Sequence, residues 1–107
     1  MIERQLFFAT ADTTAETVFT NSTTQLTTLT SINISQGSAA AATTVRISKG
    51  ADGATTRVFE QPIPAGAGSY TFPVHIPWTG TETMQLSSTT TDDVAVCVGK
   101  GYSVVVS

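Results

Sequence analysis

From Tyr70 to Trp78 the chain alternates without interruption. Tyr70, Phe72, Val74, Ile76 and Trp78 share one parity, and Thr71, Pro73, His75 and Pro77 share the other. A period of two puts successive side chains on opposite faces of an extended strand, so this stretch predicts a strand with one face buried. All four prolines, Pro62, Pro64, Pro73 and Pro77, lie within it or just ahead of it. Proline has no N–H to give to a ladder, which confines such a strand to a sheet edge or a bulge. The preceding run Pro62-Ile63-Pro64-Ala65-Gly66-Ala67-Gly68-Ser69 reads as a turn.

The same period recurs along the chain. Thr17-Val18-Phe19-Thr20 is a short strand closed by Asn21-Ser22. From Gln25 to Ser35, the residues Leu26, Thr28, Thr30, Ile32 and Ile34 share one parity, opposite Thr27, Leu29, Ser31 and Asn33. Thr43 to Lys49 predicts a strand with Val45 and Ile47 inward. Gly50-Ala51-Asp52-Gly53 then supplies a hairpin connection tolerant of positive φ, and Arg57 to Gln61 returns. Glu82 to Ser88 and Val94 to Val98 alternate as well. Gly99-Lys100-Gly101 reads as a break before a last strand, Tyr102-Ser103-Val104-Val105-Val106. The alanines 39–42 have no 3.6-residue continuation and are read as loop. Seven to eight short strands separated by turn chemistry predict an all-β fold, a single antiparallel β-sandwich of jelly-roll-like form. In a chain of 107 residues this is one domain, and there is no repeat, heptad pattern or linker to suggest another.

Threonine and serine make up more than a quarter of the residues, while charged residues are 12%, about half the usual share of roughly 25%. Threonine suits a pleated, half-exposed surface. Low charge argues for surfaces that lie against other protein. The net charge is −3, and Arg4, Arg46, Lys49, Arg57 and Lys100 are scattered, which argues against a nucleic-acid partner. No apolar run approaches the roughly 18 residues of a membrane span, so no membrane association is expected. The start lacks a basic segment followed by a long apolar core, so use without standard export is expected. Cys97 is the only cysteine, which excludes an internal disulfide.

Residues 1–16 contain the apolar knot Leu6-Phe7-Phe8 followed by a polar stretch, and alternate poorly. They are expected to form an N-terminal arm ahead of a sandwich spanning residues 17–107. The arm packs either across its own sandwich or onto a neighbour, since exposed terminal aromatics are costly without a partner. An arm of the second kind makes deletion of residues 1–12 abolish assembly or partner binding.

Residues able to carry chemistry are few. His75, the single histidine, lies on the outward parity between two prolines, with no partner signalled for acid–base or metal work. Gly66-Ala67-Gly68-Ser69 is not a nucleophile elbow. Asp92-Asp93, with Glu82, offers a cation too few oxygens and reads as a solvated turn. Cys97, in an apolar run without a neighbouring base, reads as a buried filler. Asn21-Ser22-Thr23 and Asn33-Ile34-Ser35 match the glycosylation pattern, as chance allows in so Thr/Ser-rich a chain. Trp78, Tyr70 and Phe72 share a face with Val74 and Ile76, as core residues do. A sugar-stacking platform is the competing reading. No catalytic residue, cofactor or metal is expected.

Taken in order, Thr17-Val18-Phe19-Thr20, Leu29-Thr30-Ser31-Ile32-Asn33-Ile34-Ser35, the Thr43–Ser48 strand with Gly50-Ala51-Asp52-Gly53, the Pro62-Ile63-Pro64-Ala65-Gly66 turn and the valine-rich end resemble the small β-sandwich virion proteins of tailed bacteriophages. Here Gly80-Thr81-Glu82 stands where that group commonly has a Gly-Asp turn. The resemblance implies a non-enzymatic virion protein, foremost a capsid decoration (cement) protein. It would be a homo-oligomer, foremost a homotrimer, bound to the major capsid protein at capsomer junctions or to another virion protein, and made in the host cytoplasm. The alternatives it implies are a tail or neck appendage, either a host-carbohydrate-binding module using Trp78 and Tyr70 or an adaptor ring subunit. The residues expected at an interface are Leu6, Phe7, Phe8, Pro73, His75, Pro77 and Trp78.

Overall fold

A computed structural model describes residues 2–90 and 95–106. It consists of eight strands in chain order: β1 (Arg4–Ala11), β2 (Glu16–Thr20), β3 (Gln25–Gln36), β4 (Thr43–Lys49), β5 (Arg57–Ile63), β6 (Gly68–Trp78), β7 (Thr83–Ser88) and β8 (Ala95–Val105). They form two antiparallel four-stranded sheets, ordered β1-β8-β3-β6 and β2-β7-β4-β5. The pairs β1·β8, β2·β7, β3·β6 and β4·β5 nest inside one another like the arms of one long hairpin. Rolling that hairpin up adds the contacts β3·β8 and β4·β7. This is the jelly-roll form of the β-sandwich. The Cα extents of 46 × 28 × 17 Å are those of two layers lying face to face.

The core lies between the sheets. Leu29, Ile32, Ile34, Val45, Ile47, Met84, Leu86, Cys97 and Trp78 are fully buried, as the alternation of their strands requires. On β6, Tyr70, Phe72, Val74 and Ile76 face inward but stay half-buried, because β6 is a sheet edge, as its prolines predict. The Phe59 ring of β5, the edge of the second sheet, meets Phe72 at a centroid distance of 5.8 Å and an interplanar angle of 60°. Tilted packing of this kind suits the aromatic quadrupole.

Three sequence expectations need correction. Residues 4–11 pack on their own sandwich, the first of the two arrangements expected, but as a strand within it and not as an arm ahead of it. They form β1, paired with β8 along its whole length, and Leu6 and Phe7 enter the core. Gly99-Lys100-Gly101 is no break, and β8 runs through it. The glycines are there for close approach. A Cβ at Gly99 would collide with the Phe7 ring across the ladder, and one at Gly101 would collide with the Thr28 carbonyl oxygen. Finally, the parity of β3 does not hold throughout. A bulge between Leu29 and Ser31 switches it, so that Thr27 and Leu29 face inward before it and Ile32 and Ile34 after it. An extra residue in one strand of a pair has that effect.

One polar network lies in the buried end of the sandwich. Asn21 Nδ2 reaches the carbonyls of Ser22, Gln25 and Gly80 at 3.1, 2.9 and 3.0 Å, and Asn21 Oδ1 accepts from Thr27 Oγ1 at 2.7 Å. Thr27 Oγ1 lies 2.8 Å from Ser103 Oγ, which accepts from Arg4 at 3.1 Å. This chain ties the β2–β3 and β6–β7 turns to the first sheet. It also closes Asn21 to glycosylation, since the side chain is buried and its amide is already engaged.

The close approach at Gly101 is open to measurement. Gly101→Ala should cost about 2–3 kcal/mol, the range of forced overpacking. Gly37→Ala, where a Cβ meets nothing within 4 Å, should be near neutral. Urea unfolding of both variants at unchanged m-value checks this.

Candidate interaction surface

Pairing registers define the outer face of the first sheet row by row. Thr10, Val96, Ser35 and Ser69 form one row, and Phe8, Val98, Asn33 and Thr71 the next. Gln5, Lys100, Ser31 and Pro73 follow, then Tyr102, Thr28 and Pro77, and last Val104 and Leu26. Lys100 is the only charged residue in these rows. Hydroxyl and amide groups satisfy one another within the face. Asn33 Nδ2 donates to Thr71 Oγ1 at 2.9 Å and to Ser69 Oγ at 3.3 Å, and Ser35 Oγ donates to Asn33 Oδ1 at 3.1 Å. Thr30 Oγ1, at the bulge, donates to the Glu3 carboxylate at the corner of the sheet. Phe8 is 64% exposed, and Leu26 and Val104 are exposed as well.

The second sheet is different. Arg46 donates to Glu60 at 2.6 Å on the adjacent strand, and Arg57 pairs with Asp52 at 3.1 Å and lies 3.8 Å from Glu60. The Arg57 guanidinium holds the Asp52 carboxyl below its ordinary 3.8. At the sandwich end, Glu82 accepts from the Thr79 backbone N–H at 2.7 Å and faces Lys49 at 3.6 Å. The Thr79 bond first, and Lys49 second, hold its carboxyl below the ordinary 4.5. The same Lys49 ammonium lies 5.2 Å from the centroid of the Trp78 ring, a cation–π distance. All four ion pairs of the described residues belong to β4, β5 or the loops flanking the second sheet. Among the described residues, none of these pairs lies on the first sheet.

The expected interface residues are divided by the fold. Phe8, Pro73, His75 and Pro77 are exposed on the first sheet, the last three along the β6 edge. Leu6, Phe7 and Trp78 belong to the core. Trp78 is therefore not a stacking platform for a sugar, and Tyr70 is half-buried with its ring folded over Gly68. Sequence reasoning overlooked Val96, Val98, Tyr102, Val104 and Leu26. Their alternation was visible, but which parity faces outward depends on the β3 bulge and on the glycines of β8.

No cluster of three metal-ligating side chains occurs among the described residues, and Asp92 and Asp93 lie outside them. An open hollow of about 410 Å³ at the ends of β4 and β5 is lined, among the described residues, by Thr43, Thr44, Pro62, Ile63, Pro64 and their neighbours, none of them titratable. A second, of about 470 Å³, holds Asp12 and Glu16 beside Thr10 and Thr14. Among the described residues, neither is lined by a histidine, cysteine or cation. Burial pushes the Cys97 thiol up to about 12, so it stays protonated and unreactive.

No protein-family model matches the chain, nor does any curated protein or any solved structure.

Two outcomes follow from the electrostatics. Because Glu82 and Asp52 are depressed in the folded state, the stability they contribute is present above their unfolded values and is lost as pH falls through the folded ones. Thermal midpoints should be level above pH 4.5 and decline below it. Both groups are partly exposed, so the decline is shallow, and Glu82→Gln removes part of it. Cys97 should resist alkylation at pH 8 in the native protein and react fully in denaturant, as a thiol-counting assay reads.

Proposed function

We propose that the protein is a non-enzymatic structural subunit of a phage virion, a decoration (cement) protein that lies on the assembled shell through the outer face of its first sheet. The observation that carries this reading is the contrast between the two faces. A four-stranded surface whose charged groups are Lys100 and, at its corner, Glu3 is sparsely charged beside the second sheet. It is well suited to another protein, because little charge must be desolvated when it is covered. The Thr, Ser and Asn hydroxyl and amide groups supply hydrogen bonds at the margin of such a contact, and Phe8, Val98, Val104 and Leu26 supply apolar area. The ion-paired second sheet then faces solvent. The jelly roll is used in viral shells, although it also serves lectins, so the fold supports the reading only by analogy. A subunit of this kind stabilises a shell by mass action, since it binds the assembled lattice and not its free parts.

The test is position and copy number on purified virions by electron microscopy, combined with two variants in a shell-pelleting assay. Thr71→Glu with Val98→Glu, on the first sheet, should reduce binding by about a hundredfold, as burying unpaired carboxylates would. Arg46→Glu with Glu60→Arg, on the second sheet, should leave binding unchanged. Absence of the protein from virions, or loss of binding through the second sheet alone, would remove this reading.

A further inference from the structure

Of the aspartates in the chain, Asp52 alone is followed by a glycine. The Asp52-Gly53 step lies in the connection between β4 and β5, with Asp52 and Ala54 exposed on either side of the glycine. Such a step carries a reaction of its own. A glycine nitrogen has no Cβ beside it to block approach, so it can attack the side-chain carboxyl carbon of the residue before it. The Gly53 N–H donates to no acceptor among the described residues, whereas the Gly53 carbonyl accepts from the Thr56 and Arg57 N–H groups at 3.1 and 3.2 Å. The carboxyl group that this nitrogen would attack is held. Arg57 Nε donates to Asp52 Oδ1 at 3.1 Å, and Arg57 Nη2 donates to Oδ2 at 3.3 Å. A two-pronged contact of this kind engages both carboxylate oxygens and fixes the plane of the group.

We propose that Asp52-Gly53 is a backbone modification site, able to isomerise to isoaspartate, and that the Arg57 clasp holds it shut in the native protein. In the reaction the Gly53 nitrogen bonds to Asp52 Cγ and gives up its proton, while the carboxyl hydroxyl leaves, the two departing as one water. Water then opens the five-membered imide at either carbonyl. One opening restores aspartate, and the other leaves the backbone running through the side-chain carbons, one methylene longer. Water is the only co-reactant. The hydroxyl leaves readily only from a protonated carboxyl, so whatever keeps Asp52 ionised slows the step. Arg57 does so, first by its hydrogen bonds and then by its charge, with a smaller attraction from Arg46, and the carboxyl lies below its ordinary 3.8. Glu60 faces the same guanidinium from β5, at 3.8 Å. An inserted methylene would draw the Gly53 carbonyl away from Thr56 and Arg57, loosening the hairpin on which the second sheet neutralises its charges.

The experiment ages the full chain at pH 5, well below its thermal midpoint, and reads isoaspartate at position 52 by peptide mapping with electron-transfer fragmentation. Arg57→Gln should form it about threefold faster or more, since one unit of pKa is a tenfold change in the protonated fraction. In urea, where the clasp is gone, the wild-type chain and Arg57→Gln should react alike. The double variant R57Q/G53A should be slow again. A Cβ at Gly53 meets only Thr56 Oγ1, at 3.8 Å, and its φ is not positive, so the turn accepts alanine. Thr56→Val removes the Thr56 hydroxyl bond to the Ala51 carbonyl without touching the clasp, and should react at the wild-type rate. Three results overturn the proposal: Arg57→Gln no faster than the wild type, Thr56→Val as fast as Arg57→Gln, or a native wild-type rate equal to that in urea.

Discussion

The first sheet depends on two places where β8 has no side chain. Gly99 gives the Phe7 ring a floor to lie on, and Gly101 lets the β3 backbone pass at the Thr28 carbonyl while Leu6 packs beside it. A methyl group at either position would push apart strands that are distant in sequence, and the β1·β8·β3 arrangement is what joins the two ends of the chain. The bulge opposite, between Leu29 and Ser31, lies in the same part of the sheet. It changes which residues of β3 face the core, and so allows Thr27 and Leu29 at one end and Ile32 and Ile34 at the other to be buried together. Core, closure of the roll and outer face therefore all trace to a few residues in the middle of β8 and β3.

The outer faces are the consequence. Most inward positions on the central strands are apolar, with Gln36 and Thr43 the buried exceptions that each keep an unpartnered oxygen, which leaves most of the polar character of the molecule to the outside. There it is divided unevenly. Arg46, Glu60, Arg57 and Asp52 neutralise one another over the second sheet. The first sheet holds hydroxyl, amide, aliphatic and aromatic groups around Lys100, with Glu3 at its corner.

Much of this was legible without the fold. The boundaries of β3, β4 and β7 follow from parity and from the Gly, Asn and Asp residues around them. Pro73 and Pro77 marked β6 as an edge, and Cys97 read correctly as a buried filler. β1 was not legible, because Leu6-Phe7-Phe8 breaks alternation at its bulge and looks like an apolar knot. Gly99-Lys100-Gly101 was misread for a related reason: glycine signals both a turn and a close approach, and only the neighbouring strand distinguishes them. Trp78 was ambiguous between core and surface because its strand ends there.

What the amino-acid order determined by itself was the class of structure: a period of two in short runs, proline-marked edges and few charges. These are local properties, set by side-chain geometry along one strand. Which parity faces outward on β3 and β8, which of Leu6, Phe7 and Phe8 is left in solvent, and which sheet collects the charge were decided only in the tertiary structure. The outcomes on β1, β3 and β8 depend on a bulge or a glycine that acts between strands dozens of residues apart, and the division of charge on which sheet takes the β4–β5 hairpin; no pattern within a single strand records what lies across from it.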